Sequence, residues 1–272
     1  MTTTTAPPAV RTIPLASGQE LTFAEYGQNT DSTAVLVLHA GAGPATVAGF
    51  AAATSEHAYV IAPTYPGFEG TPRAESTDSV ADLAEAYLDL IDILELDHVF
   101  VVGNSLGAWV ATEIALRDNH GRVSALTLIG ATGIEPTWPL EVADPRKEGP
   151  VRTGELAYHD PKFRDDPSAL TDEQRATFFA NASTAVVYGG EKFYDPKLAA
   201  RQHRVTIPVL VLAGEQDGIS PVKYQRAVAA GFPRSTFRTI PQAAHFPHIE
   251  QPAAVFAAIN DFVQSKVKPD SK

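Results

Sequence analysis

Residues Val99 to Trp109 read VFVVGNSLGAW. Val99 to Val102 is a short apolar run, fitting a buried strand. It enters Gly103-Asn104-Ser105-Leu106-Gly107, which matches G-x-S-x-G, and a helix carrying Trp109, Val110, Ile114, Ala115 and Leu116 follows. A serine hydroxyl is a weak nucleophile unless it is held clear of the strand and beside a base. A sharp strand-to-helix turn does the holding, and it sets the next backbone N–H groups at a helix N-terminus. The flanking glycines suit a turn where a side chain would crowd the backbone. Chance supplies roughly 0.1 such matches in a chain of this length, so Ser105 is a candidate nucleophile.

The rest of the chain repeats the strand–helix pattern. Before the serine turn, Ala34 to Leu38 (AVLVL) runs into His39-Ala40-Gly41-Ala42-Gly43-Pro44, with a helix to about Ser55. Tyr59 to Ala62 is a strand that ends in the Pro/Gly loop of residues 63–72. Ser79 to Leu96 keeps helical spacing through Val80, Leu83, Ala84, Tyr87, Leu88, Ile91 and Leu94. Earlier still, Arg11 to Leu15 and Glu20 to Tyr26 read as an antiparallel pair around Ser17-Gly18. After the serine, strands are expected at Val123 to Ile129, Ile207 to Leu212 and Thr236 to Ile240, with helices from about Pro221 to Ala230 and Pro252 to Gln264. The alternation predicts an α/β fold with a mostly parallel sheet covered on both faces. Ligands of such sheets lie beyond the carboxyl ends of the strands, so the loops at His39, Ser105, Asp217 and His245 should gather on one edge.

Between Ile134 and about Arg204 the rhythm stops, and the segment is rich in Pro, Asp, Arg and aromatics. It reads as an inserted, mainly helical cap (residues 134–204) between two parts of one core domain, 1–133 and 205–272. Helices are expected near Thr171 to Tyr188 and Pro196 to Arg204. Trp138, Tyr158, Phe163, Phe178, Phe179, Tyr188 and Phe193 lie in it. So many aromatics imply packing on the core and a lining for a pocket.

Composition sets the outer limits. The chain has 272 residues, 44% hydrophobic and 19% charged, with a net charge of -11, enough for a sizeable core. The acidic balance argues against nucleic acid or an anionic membrane surface as partner. There is no cysteine, hence no disulfide, thiolate nucleophile or cysteine metal site. The start, MTTTTAPPAV, lacks the basic and apolar regions of a secretory signal, and no apolar run is long enough to span a bilayer. These features fit a cytoplasmic protein, and the tail SKVKPDSK is expected to fray.

The pieces LVLHAGAGP, APTYPGFEGTP, VVGNSLGAW, LVLAGEQDGISP and AAHFPHIEQP, in this order along nearly the whole chain, resemble the α/β-hydrolase superfamily. The resemblance implies an eight-stranded sheet and a triad of Ser105 as nucleophile, Asp217 and His245, with His248 as the rival base. His57, His98, His120, His159 and His203 have no motif around them. The resemblance also implies an oxyanion hole from the N–H of Leu106 and one from the His39 loop, Gly41 or else Ala42. Ala40 stands where that family usually has glycine, and His39 is expected to brace the loop. Serine at the turn sets the chain apart from relatives with aspartate there and points to acyl transfer from an ester, thioester or lactone to water, with no metal or cofactor. Gly103-Asn104-Ser105 also resembles carbon–carbon bond hydrolases of ring-fission products, which add a cap arginine; Arg152, Arg164, Arg201 and Arg204 lie in or near the cap. Cofactor-free perhydrolases share the triad, and a ligand receptor on the same fold is the non-enzymatic alternative.

Overall fold

The computed structural model describes residues 7–137, 145–164, 166 and 168–267. Residues 1–6 and 268–272, at the ends of the two tails, and Trp138 therefore lie outside the described residues. The chain opens with β1 (Ala9–Pro14), β2 (Glu20–Tyr26), β3 (Thr33–Leu38), α1 (Ala45–Thr54) and β4 (Val60–Thr64). Next come α2 (Val80–Ile93), β5 (His98–Asn104), α3 (Leu106–Arg117) and β6 (Val123–Ile129). An excursion follows: β7 (Gly133–Ile134), α4 (Pro145–Ala157), α5 (Asp172–Gly189), β8 (Tyr194–Asp195) and α6 (Leu198–Arg201). The chain then resumes with β9 (Val209–Gly214), α7 (Val222–Ala230), β10 (Ser235–Ile240), α8 (Pro247–Glu250) and α9 (Pro252–Phe262).

The main sheet has eight strands in the order β1-β2-β4-β3-β5-β6-β9-β10. β2 pairs antiparallel with β1 and with β4. Every other pair, from β4·β3 through to β9·β10, is parallel. The expected eight-stranded, mostly parallel sheet is therefore the observed one.

β3 shows why the sheet must be covered twice. Leu36 and Leu38 join a core with Leu83, Tyr87, Trp109 and Ile114 of α2 and α3. Val35 and Val37, between them, join a second core with Val47 and Phe50 of α1 and Val255, Ile259 and Phe262 of α9. Successive side chains of a strand point to opposite faces, so an unbroken apolar run needs helices on both sides. Full burial of one such leucine contributes about 2 kcal/mol.

Local signals fix the helix ends. Ser79 caps α2 through a reciprocal box with Asp82. The helix stops at Ile93, short of the expected Leu96, because Glu95 takes φ 53° and turns the chain. β9 starts at Val209 instead of Ile207, after Pro208, which has no N–H to give the ladder. α4 is a helix the sequence did not announce; Gly149 at φ 73° and Pro150 interrupt it. α5 begins at Thr171, which forms a capping box with Gln174.

The excursion is stitched to the strand-end edge. Tyr188 is buried and its hydroxyl donates to Pro66 O at 2.7 Å. Phe193 packs edge-on against Trp109, and Tyr158 stacks on Phe246 with centroids 5.1 Å apart. Phe179, by contrast, is 51% exposed, so the expectation of packed aromatics holds for some of the set and not for this one. Among the described residues no helix is long and apolar enough to cross a membrane.

Candidate active site

β3, β5, β9 and β10 run parallel, so the loops that leave their C-terminal ends share one edge. Ser105 sits between β5 and α3 at φ 56°, ψ -115°, a backbone conformation that costs a non-glycine residue energy. Its N–H donates to Ile129 O at 2.8 Å, and its carbonyl accepts from Ala108 N at 3.0 Å. The two glycines are required by packing. A Cβ on Gly103 would lie 2.2 Å from Gly107 O, and one on Gly107 2.3 Å from Leu38 O. The turn is thus folded onto itself and onto the end of β3.

Asp217 and His245 come together. His245 Nδ1 lies 3.0 Å from Asp217 Oδ2, with both side chains almost wholly buried. The carboxylate is also held by its own loop: Oδ1 accepts from Ile219 N at 2.8 Å and Ser220 N at 2.9 Å. With Nδ1 donating to the carboxylate, Nε2 is the basic nitrogen. The ring's hydrogen bonds run through Nδ1, so Nε2 has no partner among the described residues and the Ser105 hydroxyl is not bonded to it. Apo geometries of this kind commonly tighten only around substrate. The two loops are nevertheless joined, since Asn104 Nδ2 donates to Ile129 O at 3.1 Å and to His245 O at 3.3 Å. Gly130 lies against the imidazole, where a Cβ would come 3.0 Å from Nδ1.

The excursion grips this pair by its backbone. His245 N donates to Ala157 O at 2.9 Å and Gly218 N to Leu156 O at 3.0 Å. Buried Glu250 adds a clasp, accepting from Ala244 N at 2.6 Å and from Asp160 N at 2.9 Å. Ala40, Ala157, Ile219 and Phe246 form an apolar cluster here, joined by Leu156, Tyr158 and Ile249. The methyl of Ala40 is absorbed by that cluster.

His39 is wholly buried and built into its loop. Tyr65 N donates to Nε2 at 3.1 Å, so Nδ1 carries the proton and donates to Ala40 O at 2.7 Å. The ring stacks on Tyr65 at 3.7 Å. Burial pushes its pKa down to about 3. The loop turns through Gly43 N to Ala40 O at 3.0 Å, while the N–H groups of Gly41 and Ala42 enter no backbone bond among the described residues. Leu106 is the first residue of α3, so its N–H has no partner within the helix. On the far side, Asn181 of α5 donates to Glu69 Oε1 at 2.8 Å and accepts from Glu69 N at 3.0 Å, beside Gly43.

His248, the rival base, is placed elsewhere. Its Nε2 bonds to Thr46 O at 2.8 Å, and burial lowers its pKa to about 4. His57, His98, His120, His159 and His203 are exposed. Three of the four candidate arginines have protein partners: Arg164 donates to Tyr158 O and His159 O, Arg152 pairs with Glu155, and Arg201 with Glu113 and Asp195. Arg204 is exposed. Among the described residues no three His, Asp or Glu side chains converge as metal ligands. Sequence reasoning missed Asn104 as a tie between loops, together with Ser220, Gln225 and Glu250; only the x of G-x-S-x-G and the residue before Pro221 mark any of them.

A profile of the Alpha/beta hydrolase family matches residues 35–259. The chain is 28% identical to the 2-hydroxy-6-oxo-2,4-heptadienoate hydrolase of Pseudomonas putida, over 93% of this chain and 95% of that one. Among solved structures it is similar to a thermophilic esterase from Thermogutta terrifontis, with TM-score 0.73, 23% identity, and coverage of 97% of this chain and all of that one. It is also similar to a serine hydrolase involved in carbazole degradation, with TM-score 0.71, 25% identity and coverage of 94% and 99%.

Proposed function

The chain belongs to the alpha/beta hydrolase family, and from that premise we propose that it is a serine hydrolase of small carboxylic esters or related acyl compounds, thioesters and lactones included. The observation that carries this reading is the buried Asp217–His245 pair, 3.0 Å apart, on the same sheet edge as the strained Ser105 turn. Ser105 Oγ attacks the carbonyl carbon while His245 Nε2 takes its proton. Asp217 holds the ring and stabilises the imidazolium. The N–H groups of Leu106 and Gly41 receive the oxyanion. Collapse expels the alcohol, which takes the proton from His245, and leaves an acyl group on Ser105. Water, activated by the same imidazole, then releases the acid. Residues 134–204 act as the cap, and no cofactor takes part.

The apolar cluster around Ala40, Ile219 and Phe246 suits a neutral acyl group. A second reading, carbon–carbon bond hydrolysis of a ring-fission product, is favoured by the likeness to the heptadienoate hydrolase. That substrate carries a carboxylate; of the four candidate arginines, Arg152, Arg164 and Arg201 already have protein acceptors, and Arg204 is exposed. The test is intact-mass labelling with a fluorophosphonate, wild type against Ser105→Ala, followed by turnover of p-nitrophenyl esters and of a dienoate. One adduct, lost in the variant, with ester turnover above dienoate turnover, is the expected result. Faster dienoate turnover selects the second reading, and no adduct on folded wild type returns the receptor alternative.

A further inference from the structure

Ser220 and Gln225 form a buried polar pair beside the acid–base couple, and both are fully inaccessible to solvent. Gln225 sits on α7 and reads the peptide of Ala131 with both ends of its amide. Oε1 accepts from Ala131 N at 2.9 Å, and Nε2 donates to Ala131 O at 2.8 Å. That fixes which end is nitrogen. The same Nε2 lies 2.7 Å from Ser220 Oγ, so the serine oxygen is the acceptor of that contact. The one hydroxyl proton of Ser220 is then left for Asp217 Oδ2 at 3.1 Å or Gly130 O at 3.2 Å. The oxygen also stands 3.4 Å from His245 Nδ1.

The count of donors gives the consequence. Asp217 Oδ1 has two backbone N–H groups. Oδ2 has the imidazole N–H and, at 3.1 Å against 3.2 Å for Gly130 O, is the nearer acceptor for the Ser220 hydroxyl, the one side-chain hydroxyl among the described residues that can set the rotation of the carboxylate about its last bond. A buried carboxylate gains from each such donor, and an imidazole needs its acceptor oxygen aimed along the N–H. We propose that Ser220, oriented by Gln225, is a positioning residue that aims Asp217 Oδ2 at His245 Nδ1 and so sets the reactivity of Ser105. This rests on the serine-hydrolase reading above. Ser220 touches no substrate, since it is fully buried among Asp217, Gly130 and Gln225.

The variant is Ser220→Ala, which deletes one oxygen and leaves Gln225 paired with Ala131; circular dichroism checks that it folds. Three quantities are measured on the full chain: the fluorophosphonate labelling rate, kcat and KM for p-nitrophenyl acetate, and the low-field Nδ1–H proton line of His245, assigned by its loss in His245→Gln. The expected result is a labelling rate and kcat lower by about tenfold, with KM within about twofold of wild type and the line shifted. A labelling rate within about twofold of wild type overturns the proposal. So does a slower rate with the line unmoved, because the loss then lies outside the couple. Wild-type protein that refuses the fluorophosphonate refutes the serine-hydrolase reading instead. The proton line needs no turnover, so in that case its shift in Ser220→Ala still upholds the aiming role and its constancy still overturns it.

Discussion

Acid should unfold this protein partly through His39. The ring is wholly buried, Nδ1 donates to Ala40 O and Nε2 accepts from Tyr65 N. Protonation at Nε2 sets two N–H groups against each other in a ring that has no access to solvent. The folded pKa is therefore pushed down to about 3 from an ordinary 6.5, with burial as the cause. Between those values the unfolded chain holds a proton that the folded chain does not, so stability falls as pH falls. The contribution is fully present above about pH 6.5 and is lost progressively down to about pH 3. At about pH 4.5 the loss is two pH units' worth, about 3 kcal/mol, against a total stability of about 5–15 kcal/mol. His39→Gln keeps a donor for Ala40 O and an acceptor for Tyr65 N but cannot titrate. Urea unfolding followed by tryptophan fluorescence, at steps from about pH 7.5 to 4.5, compares the two proteins. Carboxylate protonation is common to both and cancels. The variant is expected to lose about 3 kcal/mol less than wild type over that range. Parallel stability curves would refute the reasoning.

The glycines of the serine turn give a second expectation. Gly107→Ala pushes a methyl to 2.3 Å from Leu38 O, and the protein should lose more than about 3 kcal/mol, read as a collapse in soluble yield and melting temperature. Glu113 is buried under Arg117 and Arg201, with Arg201 Nη2 2.6 Å from Oε1. Glu113→Gln should cost about 2–3 kcal/mol and lower the melting midpoint by about 5–10 °C; a midpoint within one degree of wild type would contradict it. Asp217→Asn should slow fluorophosphonate labelling by about 10³–10⁴-fold with an intact circular dichroism spectrum, and labelling at the wild-type rate would remove Asp217 from the mechanism.

The sequence made some of this legible because the physics there is local. AVLVL can be covered only by two layers, and β3 divides its side chains between both cores. G-x-S-x-G marks a turn where any Cβ collides, and both collisions are present. α4 was illegible for an equally local reason: Gly149-Pro150 punctuates a loop to any reader of propensities, yet the chain stays helical on either side. The supports around Asp217 and His245 are another matter. Gln225 meets Ala131 across 94 positions, and Asn104 meets His245 across 141. Glu250 binds Asp160 across 90. Nothing within a few residues of these side chains reveals such partners, because the closing of the sheet supplies them. The same holds for the two loop histidines, three residues apart. His245 is set apart from His248 by which acceptor it reaches, Asp217 or Thr46 O.

The excursion is fastened on both flanks of the serine, and the way it is fastened bears on substrate. On the His39 flank, α5 is held through Asn181 to Glu69, Thr184 to Gly67 O and Tyr188 to Pro66 O. On the His245 flank, Ala157 O and Leu156 O receive main-chain N–H groups. Those second contacts are indifferent to side-chain identity, so residues facing the serine can vary without disturbing the acid–base pair. Charge cannot be supplied as freely. For Arg201 to receive a substrate carboxylate it must leave Glu113, whose side chain is only 3% exposed. That strands a buried carboxylate beside Arg117 alone, at a cost of several kcal/mol. Arg164 must likewise abandon the carbonyls of Tyr158 and His159. A neutral acyl group demands neither move, and the cluster packed against the His245 loop, Ala40, Ile219 and Phe246, carries no charge. This is the ground on which we propose the ester reading first and the dienoate reading, which the 28% identity to a heptadienoate hydrolase favours, second.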